Sequence, residues 1–269
     1  MIRSGPFPLR RCRPRRPSAF TVLEMLVSVA ILVVIIFSLY QMFNQTQRAF
    51  RGGVTQVDVM EAGRAAVDLI ANEVQQMAAA HQPDSENFLQ FINGVIATPI
   101  RQVLPDGTVM VNELQEFYFL SRPNQRIWQA QGFFIQSNTP PTPPCGFGYG
   151  TLYRIRSNDI AITPFAITNF VNAASPTNTN AVFRICDGVI HFKLHPLRAD
   201  GTEIPPANLP LRGDDIPSYL RIELGILDPP VQEYARTIPS LTAFTNFLFR
   251  RAGNVHVFHK TIHIAAALR

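Results

Sequence analysis

Residues 25–47 carry no charged side chain over 23 consecutive positions. As an α-helix rising about 1.5 Å per residue, this run spans roughly 35 Å, enough to cross a hydrocarbon core about 30 Å thick. Six arginines (Arg3, Arg10, Arg11, Arg13, Arg15 and Arg16) and no acid lie in the 19 residues at the N-terminus. Positive charge on that flank predicts that the N-terminus stays cytoplasmic and the bulk of the chain crosses the membrane. The run exceeds the roughly 7–15 residues of a secretory signal's apolar region, and no A-x-A site follows it. Residues 1–19 read as a targeting leader and are set aside from fold reasoning.

The net charge of +5 suggests nucleic acid as a partner, but its distribution does not. The leader contributes +6, leaving −1 for the remaining 250 residues. No direct contact with nucleic acid is expected. Charged residues make up 16% of the chain, below the roughly 25% of an average soluble domain. With 22 prolines, that describes a tethered, loop-rich globular protein.

The helix is expected to continue beyond the apolar run. Phe50, Val54, Val57, Met60, Val67, Ile70, Val74 and Met77 recur at three- and four-residue spacing, with Asp58, Arg64, Asp68, Glu73 and Gln75 between them. Gly52-Gly53 marks a place where it can kink or melt locally, and the end is expected near His81, before Pro83. Beyond residue 84, strand-like runs cover Thr108–Val111, Glu116–Ser121, Arg126–Ile135, Thr151–Arg156, Ala181–Leu194, Tyr219–Leu227 and Asn254–Ala265. Turn signals at Asp106-Gly107, Thr139–Gly150, Asp200-Gly201 and Pro229-Pro230 separate them. Alternation in Arg221-Ile222-Glu223-Leu224 and Val255-His256-Val257 predicts an antiparallel sheet with one packed and one wet face. A short second helix is expected between Val231 and Arg251. The fold class is α+β. It divides into a leader (1–19), a transmembrane helix (20–48), its amphipathic continuation (49–82) and a β-rich domain (83–269).

The junction reads Pro17-Ser18-Ala19-Phe20-Thr21-Val22-Leu23-Glu24-Met25. A basic leader meets Ala-Phe-Thr-x-Leu-Glu, and the uncharged run follows. A lone carboxylate at the edge of an apolar span costs a few kcal/mol near a membrane centre and persists where a partner is available. Read alone, Glu24 is equally a boundary carboxylate in the headgroup region.

Together these residues resemble the N-terminus of type IV prepilins and type II secretion pseudopilins. The resemblance implies cleavage by a prepilin peptidase between Ala19 and Phe20 and N-methylation of Phe20. It implies a pilin-like fold, with Glu24 in assembly, pairing with a neighbouring subunit's N-terminal amine. The family usually has Gly where Ala19 stands, and many major pilins have Pro where Gln41 stands. Ile185-Cys186-Asp187-Gly188-Val189-Ile190-His191-Phe192, followed by Pro217-Ser218-Tyr219-Leu220-Arg221-Ile222-Glu223-Leu224, resembles a stretch of the J-type minor pseudopilins. That likeness implies a minor subunit of a type II secretion pseudopilus, partnered by major and minor subunits. It would reside in the bacterial inner membrane with its globular domain periplasmic, and then in the filament.

Cys145 and Cys186 lie 41 residues apart in the distal domain. In an oxidising compartment they can pair, with loop closure contributing about 3–4 kcal/mol on the chain-entropy model. The alternative is two unpaired thiols.

Other constellations point less far. His191 and His195, and His256, His259 and His263, lie on strand-like runs. A zinc site needs three or four convergent ligands, and solvent-facing strand histidines are the simpler reading. Asp200, Glu203, Asp214 and Asp215 offer hard oxygens without EF-hand spacing. No nucleophile elbow, P-loop or H-E-x-x-H occurs. Neither a metal, a cofactor nor an enzymatic activity is expected. Two rival readings stand beside the pseudopilin: a minor pilin serving motility, adhesion or DNA uptake, and a single-pass envelope binding module or enzyme.

Overall fold

The computed structural model describes residues 21–92, 100–103, 107–124, 127–137, 149–157, 159–173, 182–238 and 240–265. The chain divides into two compact units, Met1–Gly52 and Gly53–Arg269, within one helix, α1 (Val22–Val74). Helical structure continues across Gly52-Gly53.

In the first unit α1 is apolar on every side, and every apolar side chain from Val22 to Tyr40 is exposed. This helix is long and apolar enough to cross a membrane.

In the second unit α1 buries one stripe: Val59, Gly63, Ala66, Val67, Ile70, Ala71 and Val74. The stripe starts at Val59, whereas Val54 and Val57 remain exposed. The helix ends at Val74, not near His81. Gln76 and Met77 donate back to the Glu73 and Val74 carbonyls, tightening the last turn. Ala78 N–H then donates to Leu120 O, and Arg122 N–H to Gln76 O, so the segment expected to continue the helix is taken up by the strand Gln115–Asn124.

Among the described residues ten strands follow: β1 (Glu86–Ile92), β2 (Ile100–Val103), β3 (Val109–Asn112), β4 (Gln115–Asn124), β5 (Ile127–Ser137), β6 (Gly150–Arg156), β7 (Val182–Leu197), β8 (Leu211–Arg212), β9 (Tyr219–Leu227) and β10 (Val255–His263). Eight form one antiparallel sheet in the order β10-β9-β7-β6-β5-β4-β1-β8, and β2 and β3 form a separate hairpin. Three further helices lie in the described connections: α2 (Ala166–Ala173), α3 (Pro229–Ala235) and α4 (Leu241–Phe249). Pro229 and Pro230, expected to mark a turn, instead open α3, where a proline's missing N–H costs nothing.

The main core lies between α1 and one face of the sheet. Phe117 sits in its middle, with Phe133, Phe119, Phe192 and Phe88 ring centroids 5.1, 5.9, 6.1 and 6.2 Å away. The second face is not simply wet. On β4, Phe117 and Phe119 face α1 while Tyr118 and Leu120 pack with Ile167 of α2. At the other end Leu227 and Val255 pack with Val231 of α3 and Leu248 of α4. Between these two covered ends the sheet carries polar residues.

Candidate functional site

The N-terminus of α1 is held by a reciprocal cap. Glu24 N–H donates to Thr21 Oγ1 at 3.3 Å, and Thr21 N–H donates to Glu24 Oε2 at 3.1 Å. Thr21 Oγ1 lies 3.2 Å from the same carboxylate oxygen. This is a capping box, in which two otherwise unsatisfied amides at a helix start find partners. A carboxylate in the first turn also meets the positive end of the helix dipole. Ser28 Oγ donates to Glu24 O at 2.7 Å. The T-x-x-E spacing encodes this cap, which neither expectation for Glu24, a neighbouring subunit's amine or the headgroup region, includes. Glu24 has a local partner within its own chain. Ala19 and Phe20 lie outside the described residues.

The helix is fixed to the sheet by two ion pairs. Glu73 Oε1 lies 2.9 Å from Arg154 Nη1 of β6, and Asp68 pairs with Lys260 of β10. Burial raises the Glu73 carboxyl above its usual range, against the lowering pull of Arg154 and Arg156. The 2.9 Å contact and the raised value coexist because desolvation outweighs attraction here.

The polar patch on the second face gathers residues from three strands and two loops. His191 is buried (1% exposed) and its Nδ1 accepts from Glu113 N–H at 3.1 Å. That bond leaves Nε2 protonated, 3.3 Å from Glu223 Oε2. His195 Nε2 and His259 Nδ1 lie 3.6 and 3.9 Å from Glu223 Oε1. Glu203 takes His195 Nδ1 at 2.9 Å, and Glu113 takes Lys193 Nζ at 3.2 Å. Burial lowers the His191 imidazole, with Glu223 opposing. Neutral His191 therefore works as a two-way hydrogen-bond bridge. The structure brings His191, His195 and His259 together around one carboxylate. It sends His256 to Asp228, at 2.9 Å, and sets His263 against Tyr219 with the rings tilted by 54°. No group of three His, Cys, Asp or Glu among the described residues is arranged to hold a metal ion.

Three of the four acidic residues considered for calcium have protein partners, Glu203 with His195 as above. Asp200 caps Thr202 at 2.9 Å, and Asp214 meets His81 Nδ1 at 2.7 Å. Cys186 carries a free, buried thiol, which burial pushes up to about 12. Cys145, its expected partner, lies outside the described residues. Gly188, beside Cys186 in the Cys-Asp-Gly-Val segment, has φ 71°, and an added Cβ would stand 1.9 Å from Gln232 Nε2. A side chain is excluded there by conformation and space.

No protein-family model and no curated protein matches this chain.

Proposed function

We propose that the chain is a structural subunit of a pilin-type filament, made as a precursor, cut between Ala19 and Phe20 and held in the inner membrane by α1 until assembly. The observation that carries the reading is the junction Ala19-Phe20-Thr21-Val22-Leu23-Glu24, set at the head of a membrane-length helix whose apolar side chains from Val22 to Tyr40 are exposed. A helix of this kind can leave lipid for a bundle of like helices at little cost, because such a bundle is as apolar as the bilayer. Cleavage would create a cation at Phe20, and Glu24 of the next subunit would be its partner. The long helix against an antiparallel sheet accords with a pilin-like fold. The J-like segments favour a minor subunit of a secretion pseudopilus, with a minor pilin of a type IV pilus as the nearest alternative.

The capping box favours a second reading, in which Glu24 serves only its own helix and α1 is a plain membrane anchor. Two substitutions separate them. Thr21→Ala removes the hydroxyl that accepts from the residue 24 N–H and keeps the carboxylate, whereas Glu24→Ala removes the carboxylate and keeps that hydroxyl cap. The filament reading expects Thr21→Ala protein in the sheared filament fraction and Glu24→Ala protein cut but retained in the membrane. Equal behaviour of the two variants would favour the anchor.

A further inference from the structure

We propose that the outer edge of β10 is a docking site for an extended segment of another protein bearing carboxylates at alternate positions, added as a further antiparallel or parallel strand. This stands independently of the filament reading.

β10 pairs with β9 along its whole length, Val255 to Leu227 through His263 to Tyr219, with no register shift. Just beyond the two ends of that ladder, Asp228 N–H donates to Asn254 O and Ile264 N–H to Ser218 O. In an antiparallel ladder hydrogen-bonded pairs alternate. The even-numbered residues of β10 therefore bond β9, and the amides and carbonyls of Val255, Val257, His259, Thr261 and His263 point away from the sheet. Among the described residues nothing pairs with them.

Open edges are templates for strand addition, and proteins usually blunt them with prolines, bulges, short strands or outward lysines. The opposite edge is blunted in this way. β8 is two residues long, follows Pro210 and pairs with β1 through a register shift. β10 has none of these defences over nine residues. Its one lysine, Lys260, is turned to Asp68 on the α1 side.

The chemistry of the edge selects the occupant. His259, Thr261 and His263 are exposed on the second face, and Arg221 of β9, opposite Thr261, is exposed beside them. No carboxylate on this stretch is unengaged, since Glu223 is held by His191 and His195. A second copy fits poorly. Antiparallel self-pairing centred on His259 would set His259 against His259 and offer Arg221 no acid. A strand with acidic residues on one face would place them over Arg221 and the histidines, where opposite-charge cross-strand pairs are favourable. Its other face would extend the apolar side that carries Phe258 and Ile262. Main-chain bonds supply affinity in this mode and alternate side chains supply specificity.

The test uses the full-length protein in detergent micelles and two capped nonapeptides, one alternating glutamate with valine and one alternating lysine with valine. Amide exchange of Val257, His259 and Thr261 is expected to slow at least fivefold with the glutamate peptide and not with the lysine peptide. Arg221→Glu should reverse that preference. Thr261→Pro deletes an outward amide without removing a β9 bond and should abolish protection. Unchanged exchange with both peptides, equal protection by both, or protection that survives Thr261→Pro would each overturn the proposal. So would protection that grows with protein concentration in the absence of peptide, because the occupant would then be a second copy.

Discussion

Gly63 on α1 faces the ring of Phe258 on β10 so closely that a Cβ would stand 2.2 Å from Cε2. The amphipathic helix reaches the sheet at this point because it has no side chain there. Gly63→Ala gains about 1 kcal/mol of helix propensity and meets an overpacking cost of about 1–3 kcal/mol. The expected net effect is destabilising by up to about 2 kcal/mol in chemical denaturation. In a Phe258→Ala background the clash is gone, and the same substitution should become stabilising. A glycine change with the same sign in both backgrounds would show that the close approach is not what sets its effect.

Gln115 stands in for a missing strand bond beside β7. Its Oε1 accepts from Leu194 N–H at 2.8 Å and from Gln90 Nε2 at 2.8 Å, while Gln90 Nε2 also lies 2.9 Å from Leu194 O. Gln115→Leu strands the buried Leu194 amide and takes one of two acceptors from Gln90 Nε2, so a loss of about 1–3 kcal/mol is expected. Exchange at the Leu194 amide should accelerate with it, which a general loosening of the fold would not do selectively.

Glu116 titrates where few carboxylates do. Burial pushes it up to about 7, against hydrogen bonds from Tyr118 O–H and Ile135 N–H. A carboxyl raised in the folded state contributes stability that is complete below its unfolded value, near 4.5, and lost as pH rises through about 7. Glu116→Gln should therefore be close to neutral at pH 4 and stabilising by on the order of 2–3 kcal/mol at pH 8. Parallel stability–pH curves for the two proteins would contradict this.

The parts of the fold that could be read in the sequence are those where local pattern and tertiary packing agree. β9 occupies Tyr219–Leu227 as its alternation predicts, with Ile222 and Leu224 towards α1 and Arg221 and Glu223 away. The apolar helix and the fold class were equally plain. The helix end was misplaced because the chain from Gln76 to Ala78 is captured by β4, a contact with a strand more than forty residues on. β1 was missed because Phe88 and Leu89 lie on opposite faces, one in the main core and one against α2's cluster, which erases the alternation. β8 is too short to leave a signal. At the N-terminus both Thr21 and Glu24 stand in the junction motif, but the cap that joins them, written in their three-residue spacing, was not read from it. The histidine cluster depends on the register of β7, β9 and β10, and single-strand periodicity cannot supply that.

The central claim concerns the N-terminus, and one measurement bears on it most directly: intact mass with N-terminal sequencing of the protein from its native host, with and without the prepilin peptidase. The filament account predicts a chain beginning at Phe20 with one added methyl group, reverting to the uncut precursor when the peptidase is absent. A chain still beginning at Met1 in both hosts, or one cut beyond residue 40, would contradict it.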